Sequence, residues 1–212
     1  KLAITPNNGI GKKQAIRTGV EAAQGSMVLV TDADCTPHPN WISAMVHHFA
    51  STNADLLIGP VLLHPKKGFF HFFQQADFMS LQLSGAGAAL YGRPIMCNGA
   101  NLAFNRTFYL ETPHLNNTYA SGDDMFLLHR AKELRKNIRY AKTTSAVVTT
   151  QPQTLLKELF TQRIRWGAKA KGYTDYDTMA VAVVVTLANL SIVLLLAAGF
   201  INPLLWAFAV AS

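Results

Sequence analysis

Cysteine is nearly missing from this chain, acid is scarce, and the last stretch carries no charge of either sign. Each shortage narrows the reading. The two cysteines, Cys35 and Cys97, are too few for a disulfide framework and have no zinc-ligand spacing, so a reducing compartment suits them. Twelve acids stand against nineteen lysines and arginines, leaving a formal charge of +7 and an isoelectric point near 9.5. Such a balance suits nucleic acid, an anionic membrane surface or a phosphorylated substrate about equally. No internal repeat or low-complexity tract is present, and nothing resembles a cleavable signal peptide. Its 212 residues are enough for one well-buried domain with an appendage.

The uncharged stretch runs from Met179 to Ser212. Within it MAVAVVVTLANLSIVLLLAAGF, residues 179 to 200, is interrupted only by Thr186, Asn189 and Ser191, and it matches the ~20 apolar residues that cross a bilayer. Ile201-Asn202-Pro203 reads as a turn into a second, shorter apolar run. Lys157, Arg163, Arg165, Lys169 and Lys171 lie just before the span, and the excess of positive charge predicts a cytoplasmic flank. The chain opens on Lys1, and both ends read as cut.

Ahead of the span, helical and extended patterns alternate, which predicts an α/β sheet binding its ligand at strand ends. Gly11–Gln24 reads as a helix, Met27–Thr31 as a strand, Trp41–Ser51 as a helix capped by Asn40, and Leu56–Leu63 as a strand broken at Gly59-Pro60. Gly85–Gly92 is expected to be a mobile, loop-like segment. The aromatic run GFFHFFQQADFMSLQL, residues 68 to 83, suits either core packing or a helix in the headgroup region.

Chemistry concentrates in a few short motifs. In VLVTDADCTPHPNW, residues 28 to 41, Asp32 and Asp34 follow an apolar strand; if the extended geometry persists, both point to one face. Two like charges so placed want a cation between them, a hard divalent ion being the usual answer, although an Asp-rich turn ending a strand accounts for the same letters. Asn98-Gly99-Ala100-Asn101 reads as a tight turn whose amides either satisfy backbone groups or bind a polyhydroxylated ligand. SGDDMFLLHRAKELRKN, residues 121 to 137, predicts a helix with Asp123 and Asp124 in its first turn and Arg135 and Lys136 in its last. That arrangement suits the helix dipole, and it also places two carboxylates well for general-base work. In QRIRW, residues 162 to 166, Gln162, Arg165 and Trp166 share a helical face while Arg163 is turned roughly 100° away. The face offers an amide, a guanidinium and an indole; an interfacial Trp anchor explains it as well as a phosphate site does. Gly9-Ile10-Gly11-Lys12-Lys13 is a glycine-lysine turn at a helix start, short of the full P-loop spacing.

In this order, GIGKKQA, TDAD, NGANLAF, SGDD and QRIRW followed by an apolar helix resemble the membrane-associated family 2 glycosyltransferases, relatives of the cellulose, chitin and hyaluronan synthases. The resemblance covers nearly the whole chain. It implies a GT-A-type nucleotide-sugar-binding sheet, partial here, over residues 1–150, an amphipathic interface helix over 151–177 and a transmembrane segment over 178–212. It also implies inverting transfer from a nucleotide-sugar, most often a UDP-sugar, to a saccharide or lipid-linked acceptor. By the same resemblance Asp32 and Asp34 face the diphosphate and hold Mg²⁺ or Mn²⁺, with Asp34 the firmer ligand, and Lys12, Gln162 and Arg165 bind the donor. Asp124, with Asp123 beside it, is the catalytic base, and Trp166, Asn98 and Asn101 frame the acceptor. Membrane lipids are expected partners, with no nucleic-acid polymer. The expected location is integral to a membrane, a bacterial inner membrane, with the catalytic part cytoplasmic. The family's first nucleotide-binding strand and early aspartate are expected before Lys1, and the family's familiar Glu-Asp pair is Asp123-Asp124 here. Two alternatives stand beside this. VLVTDADCT also fits the D-x-D-x-T of haloacid dehalogenase-like phosphatases, and an inactive membrane-anchored scaffold would keep the fold without turnover.

Overall fold

The computed structural model describes residues 12–112 and 123–200. The chain divides into two compact units, Lys1–Tyr173 and Thr174–Ser212. The first is a layered α/β unit. Helix α1 (Lys12–Ala22) leads into β1 (Met27–Val30), then β2 (Thr36–Pro37), α2 (Trp41–Ser51), β3 (Leu56–Ile58), β4 (Val61–Leu63) and α3 (Phe69–Leu90). There follow β5 (Leu102–Asn105), α4 (Arg106–Leu110), α5 (Asp123–Glu133), β6 (Ile138–Tyr140), β7 (Val148–Thr150) and α6 (Leu156–Lys169).

The main sheet has the order β1-β5-β3-β6, with β5 antiparallel to both neighbours and β3 parallel to β6. Period-two alternation splits its side chains between two cores. Leu56, Ile58, Leu102 and Phe104 join Val20 of α1, Phe108 and Tyr109 of α4, and Met125, Leu127, Leu128 and Ala131 of α5. Leu57 and Ala103 face the other way, onto Trp41 and Met45 of α2 with Ala146 and Val148. Both faces of β3 are covered, which is why LLI is apolar throughout rather than alternating. A second sheet, β2-β7-β4, sits beside the first, and Val61, Phe78 and Ala100 form a third small core with Leu63 and Trp166 packed on it.

Antiparallel pairing decides where the motifs meet. Leu102, the first residue of β5, lies opposite Val30 at the end of β1 and Ile58 at the end of β3. The TDAD segment, the Gly59-Pro60 crossover and the NGAN turn therefore collect at one sheet edge.

Asn101 locks that edge. Its side chain is fully buried, accepts from Trp41 Nε1 at 2.9 Å, and donates to the carbonyls of Pro60 at 2.8 Å and Ala146 at 2.7 Å. A Cβ at Gly59 would lie 2.3 Å from the Asn101 amide, so glycine is required where the crossover passes over it. The expectation that Asn101 faces an acceptor is corrected: its side chain is buried out of the solvent, with both amide hydrogens and the carbonyl oxygen engaged in the fold.

Other local expectations also shift. Gly85–Leu90 continues α3 as helix, because Gly85 lets Met96 approach where a Cβ would lie 2.6 Å from its Cγ; of the expected loop, only Gly92, past the helix, has a positive φ, 83°. Asn40 precedes α2 as expected but makes no side-chain cap; its own N–H donates to His38 Nδ1 at 3.1 Å. Helix α5 stops at Glu133, with Arg135 at φ 53°, so Arg135 and Lys136 lie beyond the last turn, where Arg130 and Lys132 stand instead.

The second unit contains α7 (Tyr176–Gly199), the one helix among the described residues long and apolar enough to cross a membrane. At 24 residues it extends about 36 Å. Its polar side chains turn back on the helix: Thr186 Oγ1 donates to Ala182 O, Asn189 Nδ2 to Val185 O and Ser191 Oγ to Ala188 O, at 2.7 to 2.9 Å. The turn and second apolar run expected after residue 200 lie outside the described residues.

Replacing Asn101 with alanine strands a buried indole N–H and two buried carbonyls. The expected loss is on the order of 3 kcal/mol in denaturant unfolding followed by tryptophan fluorescence, and an unchanged midpoint would contradict the locking role.

Candidate active site

One open cleft of about 310 Å³ runs along this edge, within the first unit. Its lining gathers Lys12 from α1, Asp32, Asp34 and Cys35 from the segment after β1, and Asn98 from the turn before β5. Asp124 from α5 and Gln162, Arg163, Arg165, Trp166 and Lys169 from α6 complete it.

The acid pair does not continue the strand. Strand β1 ends at Val30, and the backbone folds into a turn in which Cys35 N–H donates to Asp32 O at 3.1 Å. That turn, rather than pleated geometry, brings ligand atoms of Asp32, Asp34 and Cys35 within 4.8 Å of one another. Lys12 pairs with Asp32 and offsets part of the repulsion. Cys35 Sγ lies 3.7 Å from Asp34 Oδ1. Burial pushes the Cys35 thiol up, against a hydrogen bond to Thr150 that lowers it, and the charges of Asp34 and Asp32 push it further up. Two carboxylates supply hard oxygen donors, which fit Mg²⁺ or Mn²⁺.

The adjacent acids of α5 part company. Asp124 turns into the cleft with both oxygens oriented, Oδ2 accepting from Gly99 N–H at 3.0 Å and Oδ1 from Met125 N–H at 2.9 Å. Asp123 does not reach that cleft; it lines a smaller neighbouring cavity of about 80 Å³ with Tyr109 and Leu127, which Asp124, Lys12 and Lys169 line as well, and its buried Oδ1 has no hydrogen-bond partner among the described residues. Burial pushes the Asp123 carboxyl above its ordinary value, Lys13 pulls against this, and Asp124 adds to it. Of the two, Asp124 is the one placed for chemistry on a substrate in the main cleft.

Helix α6 forms the far wall. Gln162, Arg165 and Trp166 line the cleft together as the spacing predicts. Trp166 packs on the small core of Val61, Phe78 and Ala100, so its indole is a fixed surface. Arg163, expected to turn away, also reaches the cleft; it pairs with Asp77 of α3 and stacks on Trp166 at 4.8 Å from the ring centroid. Gln74 of α3 clamps the segment ahead of α6, donating to Gln153 O and accepting from Gln153 N–H, both at 3.0 Å. Sequence reasoning missed Cys35, Arg163, Gln74 and Asp77, and of these only Cys35 carried a local signal, its place beside the acid pair. Asn98 lines the cleft, its Oδ1 accepting from Ala100 N–H at 3.0 Å. Lys12 and Lys13 are described at the start of α1; Gly9, Gly11, Ser121 and Gly122 of the quoted motifs lie outside the described residues.

A family model described as glycosyltransferase like family 2 matches residues 1–168. The chain belongs to that family. Among curated proteins it is similar to the glycosyltransferase AglE of Haloferax volcanii, 23% identical over 157 residues, covering 74% of this chain and 49% of that protein. It thus spans about half the length of the curated relative it matches. Among solved structures it is similar to glucosyl-3-phosphoglycerate synthase from Mycobacterium tuberculosis in complex with phosphoglyceric acid, at 16% identity and TM-score 0.45, covering 82% of this chain and 59% of that one. The same enzyme in complex with Mn²⁺, UDP-glucose and phosphoglyceric acid matches at 16% identity and TM-score 0.43, covering 82% and 58%.

Asp123 sets a testable pH dependence. Its folded-state pKa lies above the unfolded value of 3.8, so the folded state favours the protonated carboxyl. The stability it contributes is full below 3.8 and is lost as pH rises through the folded value. Asp123→Asn is therefore expected to melt higher than the parent chain at pH 7, with the gap closing as pH falls toward 3.8; a gap that stays constant with pH would contradict the assignment.

Proposed function

We propose that this chain carries the donor-diphosphate and acceptor subsites of an inverting, metal-assisted glycosyltransferase with a GT-A-type sheet. It would move a sugar from a nucleotide-sugar, a UDP-sugar, to a saccharide or lipid-linked acceptor at the cytoplasmic face of a membrane. The observation that carries this is the meeting of Asp32, Asp34, Asp124, Gln162, Arg165 and Trp166, from three separate segments, along one cleft. In this reading Asp34 and Asp32 hold Mg²⁺ or Mn²⁺, which when bound offsets the charge on the departing diphosphate. Lys12, beside the acid pair, and Arg165 and Gln162 of α6 hold its oxygens. Asp124 takes the proton of the acceptor hydroxyl as that oxygen attacks, its orientation set by the Gly99 and Met125 amides. Trp166 presents a flat face to the acceptor, with Asn98 nearby, and α7 anchors the unit in the bilayer.

The phosphatase alternative has no support. It wants a carboxylate four or five residues past Asp123, where Leu127 and Leu128 are buried in the main core. An inactive scaffold remains distinguishable by turnover. The full-length protein in membranes is expected to release UDP from a UDP-sugar only with Mg²⁺ or Mn²⁺ present. Asp124→Asn should lower turnover by ~10²–10⁴-fold while donor affinity is retained, the usual worth of a positioned base. Asp34→Ala should abolish metal-dependent donor binding. Donor binding with no turnover in the parent protein would favour the scaffold, and an aspartyl-phosphate trapped at Asp32 would favour the phosphatase.

A further inference from the structure

One chamber and one acid stand outside the chemistry proposed above. The cavity of about 80 Å³ shares Lys12, Asp124 and Lys169 with the main cleft, so it is a side chamber next to the base. Most of its remaining wall is apolar: Ile16 of α1, Val30 of β1, Leu102 and Phe104 of β5, Tyr109 of α4 and Leu127 of α5. Tyr109 stacks on Phe104 with ring centroids 4.9 Å apart, and both pack in the main core with Leu102 and Leu127, so this wall is stiff. Asp123 supplies its second carboxyl. The buried Oδ1 of that carboxyl has no hydrogen-bond partner among the described residues, a condition that costs stability until a donor meets the group.

The position of the chamber limits what enters it. A base at Asp124 takes its proton from the hydroxyl that attacks C1 of the donor sugar, so C1 and Asp124 are neighbours during transfer. The C2 carbon is bonded directly to C1, whereas C6 lies beyond the ring oxygen and C5. A chamber bordered by the base is therefore reached first by the substituent on C2.

Its walls then separate the substituents that C2 could carry. The volume exceeds the roughly 30 Å³ share of one water in the liquid, which leaves room for a group of a few heavy atoms. A hydroxyl is too small to cover Ile16, Val30 and Leu102 and leaves that apolar wall wet. A carboxylate only accepts hydrogen bonds, and it would add a negative charge beside Asp123 and Asp124. An acylamino group brings an N–H for the Asp123 carboxyl, a methyl for the apolar wall and a carbonyl oxygen for the Lys169 ammonium.

We infer that this side chamber receives the acylamino group on C2 of the donor sugar, so that the donor is a UDP-N-acylhexosamine and not a UDP-hexose. The inference rests on the transferase reading and names the sugar class for that same site. Asp123 and Ile16 become the specificity-determining residues: one meets the amide N–H, and the other closes the apolar wall from α1. The two acids of α5 thereby divide their work, with Asp124 on the acceptor hydroxyl and Asp123 on the identity of the donor.

The test uses the full-length protein in membranes with Mn²⁺. It measures kcat/KM for UDP release from UDP-N-acetylglucosamine, UDP-N-acetylgalactosamine, UDP-glucose and UDP-galactose. The better acetylated donor is expected to exceed its unacetylated counterpart by about tenfold to a hundredfold, the scale set by one well-fitted small group. Asp123→Leu removes the acceptor and Ile16→Phe fills the chamber, and each is expected to bring that ratio toward one. Asp123→Asn keeps an oxygen in place and is expected to retain the preference. Because the readout is a ratio within one preparation, partial loss of folded protein cancels. Equal or better use of UDP-glucose and UDP-galactose by the parent protein overturns the inference and leaves the transferase standing. A preference for acetylated donors that both Asp123→Leu and Ile16→Phe leave intact places the acyl group elsewhere and also overturns it. UDP release from none of the four overturns the transferase reading and this inference with it.

Discussion

Negative charge converging on one sheet edge is the constraint around which the first unit is arranged. Asp32 and Asp34 are brought together by a turn, and Asp124 opens onto the same cleft from a helix about ninety residues later in the chain. Like charges at this spacing repel, and a neutral protein environment offers little to offset them. Lysine and arginine therefore approach from α1 and α6, with Lys12 engaging Asp32 directly. The fit to a divalent cation follows from what remains: carboxylate oxygens in a polar, open cleft, with excess basic charge across from them.

Holding such an edge needs a stiff frame, and the frame is apolar on one side and amide-bonded on the other. Strand β3 is buried on both faces, and each of Leu56, Leu57 and Ile58 contributes roughly 1.5–3 kcal/mol by leaving water. Asn101 ties β5 to the Gly59-Pro60 crossover, to α2 and to the turn before β7. Gln74 and the Arg163–Asp77 pair do the same for α6, so the wall bearing Trp166 is fixed to α3 rather than left as a free amphipathic helix.

Much of this was legible in residue order. The helix at Trp41–Ser51, the strand beginning at Met27, the break at Gly59-Pro60 and the grouping of Gln162, Arg165 and Trp166 all come from local pattern, and the structure has them. The misses share a cause, which is that they depend on partners far away in sequence. Gly85–Leu90 looks like a loop until Met96 is seen to need the missing Cβ. Asn101 sits in a turn rich in ligand-type residues, and only burial separates a structural amide from a binding one. Arg163 points away on a helical wheel, but a long guanidinium finds Asp77 on another helix. The acid pair converges as expected but by a different geometry, since the convergence comes from a turn and not from pleating.

The central claim is that Asp32 and Asp34 hold one divalent cation in the cleft onto which Asp124 and Trp166 open. Anomalous scattering from a crystal of the full-length protein grown with Mn²⁺ and UDP tests it most directly. The account predicts a single manganese peak within bonding distance of the Asp34 carboxylate, with the diphosphate between it and Arg165 and with Asp124 facing the open side. A manganese peak bound elsewhere, or a diphosphate seated on another surface with this cleft empty, would contradict it.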